Sequence, residues 1–215
     1  MDVAKYIDHT LLKVDTTNIA IEKLCAEAIE HQFCAVCVPP YFLPLTKAAL
    51  KDSEVKIATV VGFPLGYQST LSKINEIESA AKLGAIEVDV VWNISAFKSG
   101  TLSLLESELI AITQAAKKNN VTIKIIIESG LLNENELKQA AALCIEAAPN
   151  FVKTSTGFNG TGAELEKVEL LRKWLPSTIN IKASGGIKTK EQAIAFINAG
   201  ATRLGASAGV KIVTN

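Results

Sequence analysis

Charged residues interrupt short apolar runs that otherwise read as β-strands. Lys153 stands inside Phe151-Val-Lys-Thr-Ser155, and Lys182 inside Ile179-Asn-Ile-Lys-Ala-Ser184. Glu87 and Asp89 share Glu87-Val-Asp-Val-Val91, and Lys124 and Glu128 share Val121-Thr-Ile-Lys-Ile-Ile-Ile-Glu128. An unpaired buried charge is costly, so these strands are expected to bring opposite charges together at one end of a shared sheet. Lys153 and Lys182 lie in consecutive runs, which places them about 5 Å apart if the strands pair. Repulsion and burial both disfavour an ammonium ion, so both lysines are expected to have lowered pKa values. A neutral lysine can add to a carbonyl and form a Schiff base. Asp89 could then shuttle protons. On spacing alone either lysine could be the nucleophile. The competing structural role is a lysine that reaches the barrel rim or joins an ion pair; two lysines and an aspartate on strands of one sheet favour chemistry.

Glycines supply a second signal. Ser184-Gly185-Gly186 follows the seventh apolar run, and Gly205-Ala-Ser-Ala-Gly209 follows the eighth and opens a short helix. Glycine lets backbone N–H groups approach an anion closely. Gly185, Gly186, Gly205 and Ser207 are therefore candidates to hold a phosphate. A metal centre has little to work with: the two histidines are His9 and His31, so no metal and no cofactor are expected. Cys34-Ala-Val-Cys37 fits a CxxC spacing, but it lies in an apolar run. Residues three apart on a strand face opposite ways, so a redox or zinc role is not expected.

These side chains need a scaffold. The apolar runs are Ile7–Leu12, Phe33–Val38, Val55–Val61, Ile86–Val91, Val121–Ile127, Phe151–Ser155, Ile179–Ser184 and Thr202–Ser207. Between them, Asp15–His31, Ser69–Leu83, Leu102–Lys118, Glu134–Ala147, Ala163–Trp174 and Lys190–Ala199 carry helical periodicity, with a weaker helix near 43–52. Asn133 and Thr189 are candidate N-caps, and Gly84 and Gly200 candidate C-caps. Alternation of strand and helix predicts a parallel sheet with both faces covered. An open doubly wound sheet and a closed barrel both fit that pattern. Eight units favour a compact (β/α)8 TIM barrel, and the lack of GxGxxG after the first strand weakens the nucleotide-binding open sheet. With no linker-like tract, residues 1–215 are expected to form a single catalytic barrel domain.

The chain has 215 residues with 22 Lys+Arg and 22 Asp+Glu, so its formal net charge is zero and no nucleic-acid partner is expected. Its apolar runs are too short to span a membrane, and the N-terminus lacks a secretory apolar core. A cytoplasmic location is expected, with a homodimer compatible with the reading.

Together these segments resemble the deoxyribose-phosphate aldolase family. The resemblance spans nearly the whole chain, through Ile7-Asp-His-Thr-Leu-Leu-Lys13, Ala35-Val-Cys-Val-Pro39, Val61-Gly-Phe-Pro-Leu-Gly66, Glu87-Val-Asp-Val-Val91 and Lys98-Ser-Gly100. It continues through Ile126-Ile-Glu-Ser-Gly-Leu-Leu132, Phe151-Val-Lys-Thr-Ser-Thr-Gly-Phe158, Ile181-Lys-Ala-Ser-Gly-Gly-Ile187 and Gly200-Ala-Thr-Arg-Leu-Gly-Ala-Ser207. It implies a metal-free (β/α)8 lyase that reversibly cleaves 2-deoxy-D-ribose 5-phosphate to glyceraldehyde 3-phosphate and acetaldehyde. By that resemblance Lys153 is the Schiff-base nucleophile and Lys182 the lysine that lowers its pKa. Asp89 is the acidic proton carrier and Asp8 a relay residue held near Lys182. Cys37 and Lys124 are implied to line the pocket. The chain departs from some relatives in having no tyrosine near its end and in carrying Phe158 where they have a basic residue. Another Schiff-base barrel aldolase acting on a different phosphorylated sugar, and a non-catalytic barrel that binds phosphosugars, are the alternatives.

Overall fold

A computed structural model describes residues 1–214. Eight parallel strands close into a barrel in sequence order, with β1 paired to both β2 and β8. They are β1 (Ile7–Thr10), β2 (Ala35–Val38), β3 (Lys56–Val61), β4 (Glu87–Val91), β5 (Thr122–Ile126), β6 (Phe151–Lys153), β7 (Asn180–Ser184) and β8 (Arg203–Ala206). Each falls inside one of the eight apolar runs. Closure rules out the open-sheet alternative.

The helices are α1 (Asn18–Glu30), α2 (Leu43–Ala49), α3 (Thr70–Lys82), α4 (Ile94–Lys98), α5 (Leu102–Lys118), α6 (Glu134–Ala147), α7 (Leu165–Trp174), α8 (Lys190–Asn198) and α9 (Gly209–Thr214). Local chemistry sets their ends. Asn133 and Thr189 both make capping boxes, with Glu136 and Gln192. Helix α1 starts at Asn18 rather than Asp15: the Thr16 hydroxyl bonds back to the Lys13 carbonyl at 2.6 Å, and Thr17 is the residue that accepts from the Ala20 N–H. Helix α4 is the one that periodicity does not reveal. It has five residues and is started by the Asn93 side chain, which accepts from Ala96 N–H at 3.0 Å.

Alternation along the strands sorts the side chains. Val88, Val90, Ile123, Ile125, Val152 and Ile181 are buried in the main apolar core, together with helix residues such as Ile21, Ile77, Leu109, Leu137 and Leu171. The residues between them, Asp89, Lys124, Lys153 and Lys182, therefore point into the barrel. Inside it, Cys37, Ala58 and Val60 form a small separate apolar cluster with Leu12 and Phe63 against it. Among the described residues, no helix is long and apolar enough to cross a membrane.

Candidate active site

The strand register delivers the charges to one another. Lys153 is paired directly with Lys182, and Asp89 with Lys124. Asp89 Oδ2 accepts from Lys153 Nζ at 2.8 Å and from Lys182 Nζ at 2.7 Å, while Oδ1 accepts from Lys124 Nζ at 2.9 Å. Lys182 Nζ also lies 2.5 Å from Asp8 Oδ2, and Lys124 Nζ 2.6 Å from Glu87 Oε2. Arg203 closes the network: its terminal nitrogens donate to both Glu87 oxygens at 3.0 and 2.8 Å, and its Nε donates to Asp8 Oδ1 at 2.6 Å. All seven side chains are buried.

The charges do not gather at one end, as the sequence suggests. Glu87 and Arg203 begin β4 and β8, whereas Lys153 ends β6, so the network runs up through the barrel. Its upper end opens into a cavity of about 290 Å³, walled by residues that follow β1, β6, β7 and β8. Lys153 lines this cavity, and it is the one member of the charged network that does. Gly185, Gly186, Gly205 and Ser207 line it too. Gly185 and Gly186 have φ of +92° and +85°, a backbone that other residues rarely adopt.

Electrostatics separate the residues by state. Burial alone would raise Asp89, but Lys124, Lys153 and Lys182 outweigh it and hold its carboxyl well below the usual range. Burial likewise opposes ionisation of Asp8, yet Lys182, Arg203 and Lys124 bring it down to about 2. Lys182 departs from the expected lowering. Burial pushes it down, but Asp8 and Asp89 more than reverse this and raise it above its ordinary value. The sequence-based expectation counts the repulsion between lysines and omits the attraction of Asp8 and Asp89, which the fold places against Lys182.

Two further expectations are corrected. Lys124 and Cys37 do not line the cavity. Lys124 is fully buried beneath it, pinned by Asp89 and Glu87. Cys37 is enclosed in the inner apolar cluster, where burial first and then Asp89 push its thiol up to about 11. Cys34 and Cys37 are both free thiols. Sequence reasoning missed Arg203, although an arginine inside an apolar run is the same signal that exposed Lys153. It also missed Lys13, Thr156 and Lys188 as cavity residues; these lie on loops, where no periodicity predicts direction. Among the described residues, no group of three His, Cys, Asp or Glu side chains is arranged to hold a metal ion.

Comparison with known proteins agrees with this fold. The model of the DeoC/LacD family aldolases matches residues 2–215. The deoxyribose-phosphate aldolase of Brevibacillus brevis is 47% identical over 214 residues, covering 100% of this chain and 96% of the relative. That of Thermoanaerobacter sp. strain X514 is 48% identical, covering 99% and 96%. Among solved structures, an aldolase described as QR15 superposes with a TM-score of 0.94 at 42% identity, covering 99% and 95%. The tetrameric deoxyribose phosphate aldolase of Aeropyrum pernix gives 0.91 at 30% identity, covering 98% and 89%. A buried lysine pair around one aspartate, opening on a glycine-walled cavity, thus sits in a chain that belongs to the DeoC/LacD family of aldolases.

Proposed function

We propose that this chain reversibly cleaves 2-deoxy-D-ribose 5-phosphate to glyceraldehyde 3-phosphate and acetaldehyde, with Lys153 as the Schiff-base nucleophile and residues 1–215 as one catalytic domain. The observation that carries the assignment is access. Lys153 and Lys182 share one oxygen of Asp89, but Lys153 lines the cavity and Lys182 is sealed below it.

The reaction follows from that placement. The Lys153 amine adds to C1 of the open-chain sugar, and loss of water leaves an iminium ion. The two-carbon product fixes the bond that breaks as C2–C3. Its electron pair moves into the iminium to give an enamine, and the C3 hydroxyl proton passes to a base as C3 leaves as an aldehyde. Protonation of the enamine at C2 and hydrolysis release acetaldehyde and free Lys153. Asp89 remains a carboxylate and Lys182 an ammonium ion, so Asp89 acts as acceptor and Lys182 as proton donor within one hydrogen-bonded set. Asp8 and Lys124 hold those two groups in place, with Arg203 and Glu87 beneath them.

The phosphate is assigned to the Gly185-Gly186 turn with Gly205 and Ser207. Binding there, remote from the bond that breaks, positions C1 against Lys153. The test is direct: the purified protein with 2-deoxyribose 5-phosphate is expected to yield acetaldehyde and glyceraldehyde 3-phosphate in equal amounts. Absence of both products would leave an aldolase acting on a different phosphorylated sugar or a phosphosugar-binding barrel.

A further inference from the structure

We infer that Glu128 is a positioning residue whose buried carboxylate fixes the Thr156–Phe158 wall of the cavity and thereby tightens binding of the phosphorylated end of the substrate. The inference rests on the aldolase reading above.

Among the described residues, four other than glycine have positive φ: Gln32, Asn120, Glu128 and Ala148. Three of them follow the C-terminal ends of α1, α5 and α6, where a left-handed residue is an ordinary way to finish a helix. Glu128 differs. With φ 49° and ψ 56° it lies just beyond the end of β5, on the side of the barrel where the cavity opens. A side chain disfavours that backbone, which persists where surrounding contacts over-determine it.

The contacts are specific. The Glu128 side chain is fully buried, and its partners among the described residues are hydrogen-bond donors rather than cations. It accepts from the Thr156 N–H at 3.1 Å and from the Thr156 hydroxyl at 2.5 Å. The same hydroxyl oxygen accepts from the Phe158 N–H at 3.0 Å. One carboxylate thus sets three consecutive cavity residues, Thr156, Gly157 and Phe158. Asn159 Nδ2 reaches Glu128 at 3.5 Å and the Pro64 carbonyl at 3.1 Å, tying this wall to the neighbouring loop, where Phe63 meets Phe158 edge-on.

The wall stands against the turn assigned to phosphate. A Cβ added at Gly157 would lie 3.8 Å from Gly185 Cα, so displacement of the wall is transmitted to Gly185. Lys153 is held by other means: its carbonyl accepts from the Ile127 N–H at 3.1 Å, and its amine is held by Asp89. Loss of the Glu128 carboxylate is therefore expected to disturb the phosphate end and to spare the nucleophile.

The test compares E128A, E128Q and T156V with the wild-type enzyme, using 2-deoxyribose 5-phosphate, free deoxyribose, and borohydride trapping with acetaldehyde. Removing hydrogen bonds to a buried carboxylate is expected to raise KM for the phosphorylated sugar by about tenfold in E128A, with a much smaller change for free deoxyribose. Glutamine can accept from the Thr156 N–H and donate to its hydroxyl, so E128Q is expected to stay within about threefold of wild type. T156V removes the hydroxyl from the other side and is expected to reproduce the selective KM rise even if E128A does not fold. Trapped adduct is expected on Lys153 in every folded variant. General destabilisation would lower the active fraction for both sugars and leave the KM ratio alone. An unchanged KM ratio in T156V and in folded E128A would overturn the inference, as would loss of the acetaldehyde adduct in E128Q. Absence of adduct and cleavage in the wild-type enzyme would overturn the aldolase reading instead.

Discussion

One oxygen of Asp89, Oδ2, lies 2.8 Å from Lys153 Nζ and 2.7 Å from Lys182 Nζ, so a single carboxylate oxygen joins the lysine at the cavity to the lysine beneath it. Its other oxygen holds Lys124. Replacing Asp89 with asparagine leaves three buried lysines around a neutral amide. Breaking a buried ion pair from one side costs about 3–5 kcal/mol, and loss of proton transfer costs about 100-fold or more in kcat. Denaturant unfolding and steady-state kinetics of D89N should show both. A variant as stable and active as wild type would contradict the role of Asp89.

Lys182 is expected to matter through its proton rather than through access. Asp8 and Asp89 keep it an ammonium ion despite its burial. In K182M, kcat is expected to fall by about 10²–10⁴-fold, while peptide mapping still finds the trapped adduct on Lys153. Turnover near the wild-type rate would remove Lys182 from the mechanism.

Much of this arrangement was legible in the chain, for identifiable reasons. Charges inside apolar runs marked Asp89, Lys124, Lys153 and Lys182, and period-two alternation put them on the inner face. Alternation gives the face of a strand but not the depth within a barrel, so Lys124 and Cys37 were expected at the pocket and lie below it. Strand order made Lys153 and Lys182 neighbours. The carboxylate between them comes from β4 across the barrel, and no local pattern announces such a contact. Together with Asp8 from β1, which acts on it more strongly, that contact is why Lys182 is raised where sequence reasoning expects it lowered. Helix α4 is too short for periodicity, and the Glu128–Thr156 clamp joins two loops distant in sequence.

The two glycine turns should be separable. A Cβ at Gly186 meets nothing within 4 Å among the described residues, and its φ of +85° makes any substitution strained. G186V is expected to raise KM for 2-deoxyribose 5-phosphate by about tenfold and to affect free deoxyribose far less. Equal effects on both sugars would place the phosphate elsewhere. At Gly205 an added Cβ would come within 2.8 Å of Ser184 Cβ and 3.1 Å of Lys182 Cε. G205A is therefore expected to depress kcat with both sugars.

Acid should weaken the folded state through Asp8. Its carboxyl is held at about 2 in the fold, against about 3.9 in an unfolded chain. A depressed carboxyl stabilises fully above the unfolded value, and that contribution disappears as pH falls toward the folded one. The difference amounts to about 2–3 kcal/mol. Melting temperatures of wild type and D8N between pH 6 and pH 2.5 should converge on acidification. A constant gap would show that Asp8 does not titrate as described.

Activity is expected to survive dialysis against EDTA. Asp8, Glu87 and Asp89 are each engaged by lysine or arginine, and His9 Nε2 is 2.8 Å from Glu27. The iminium formed on Lys153 supplies the electron sink that a metal would otherwise provide. Activity lost to EDTA and restored by a divalent ion would overturn this.

The most direct measurement is borohydride reduction of the enzyme with acetaldehyde, followed by peptide mapping. Condensation of the amine with the aldehyde and reduction of the imine should leave one ethyl group on Lys153, and K153A should leave none. A label on Lys182, or a wild-type enzyme that gains no mass, would contradict the account.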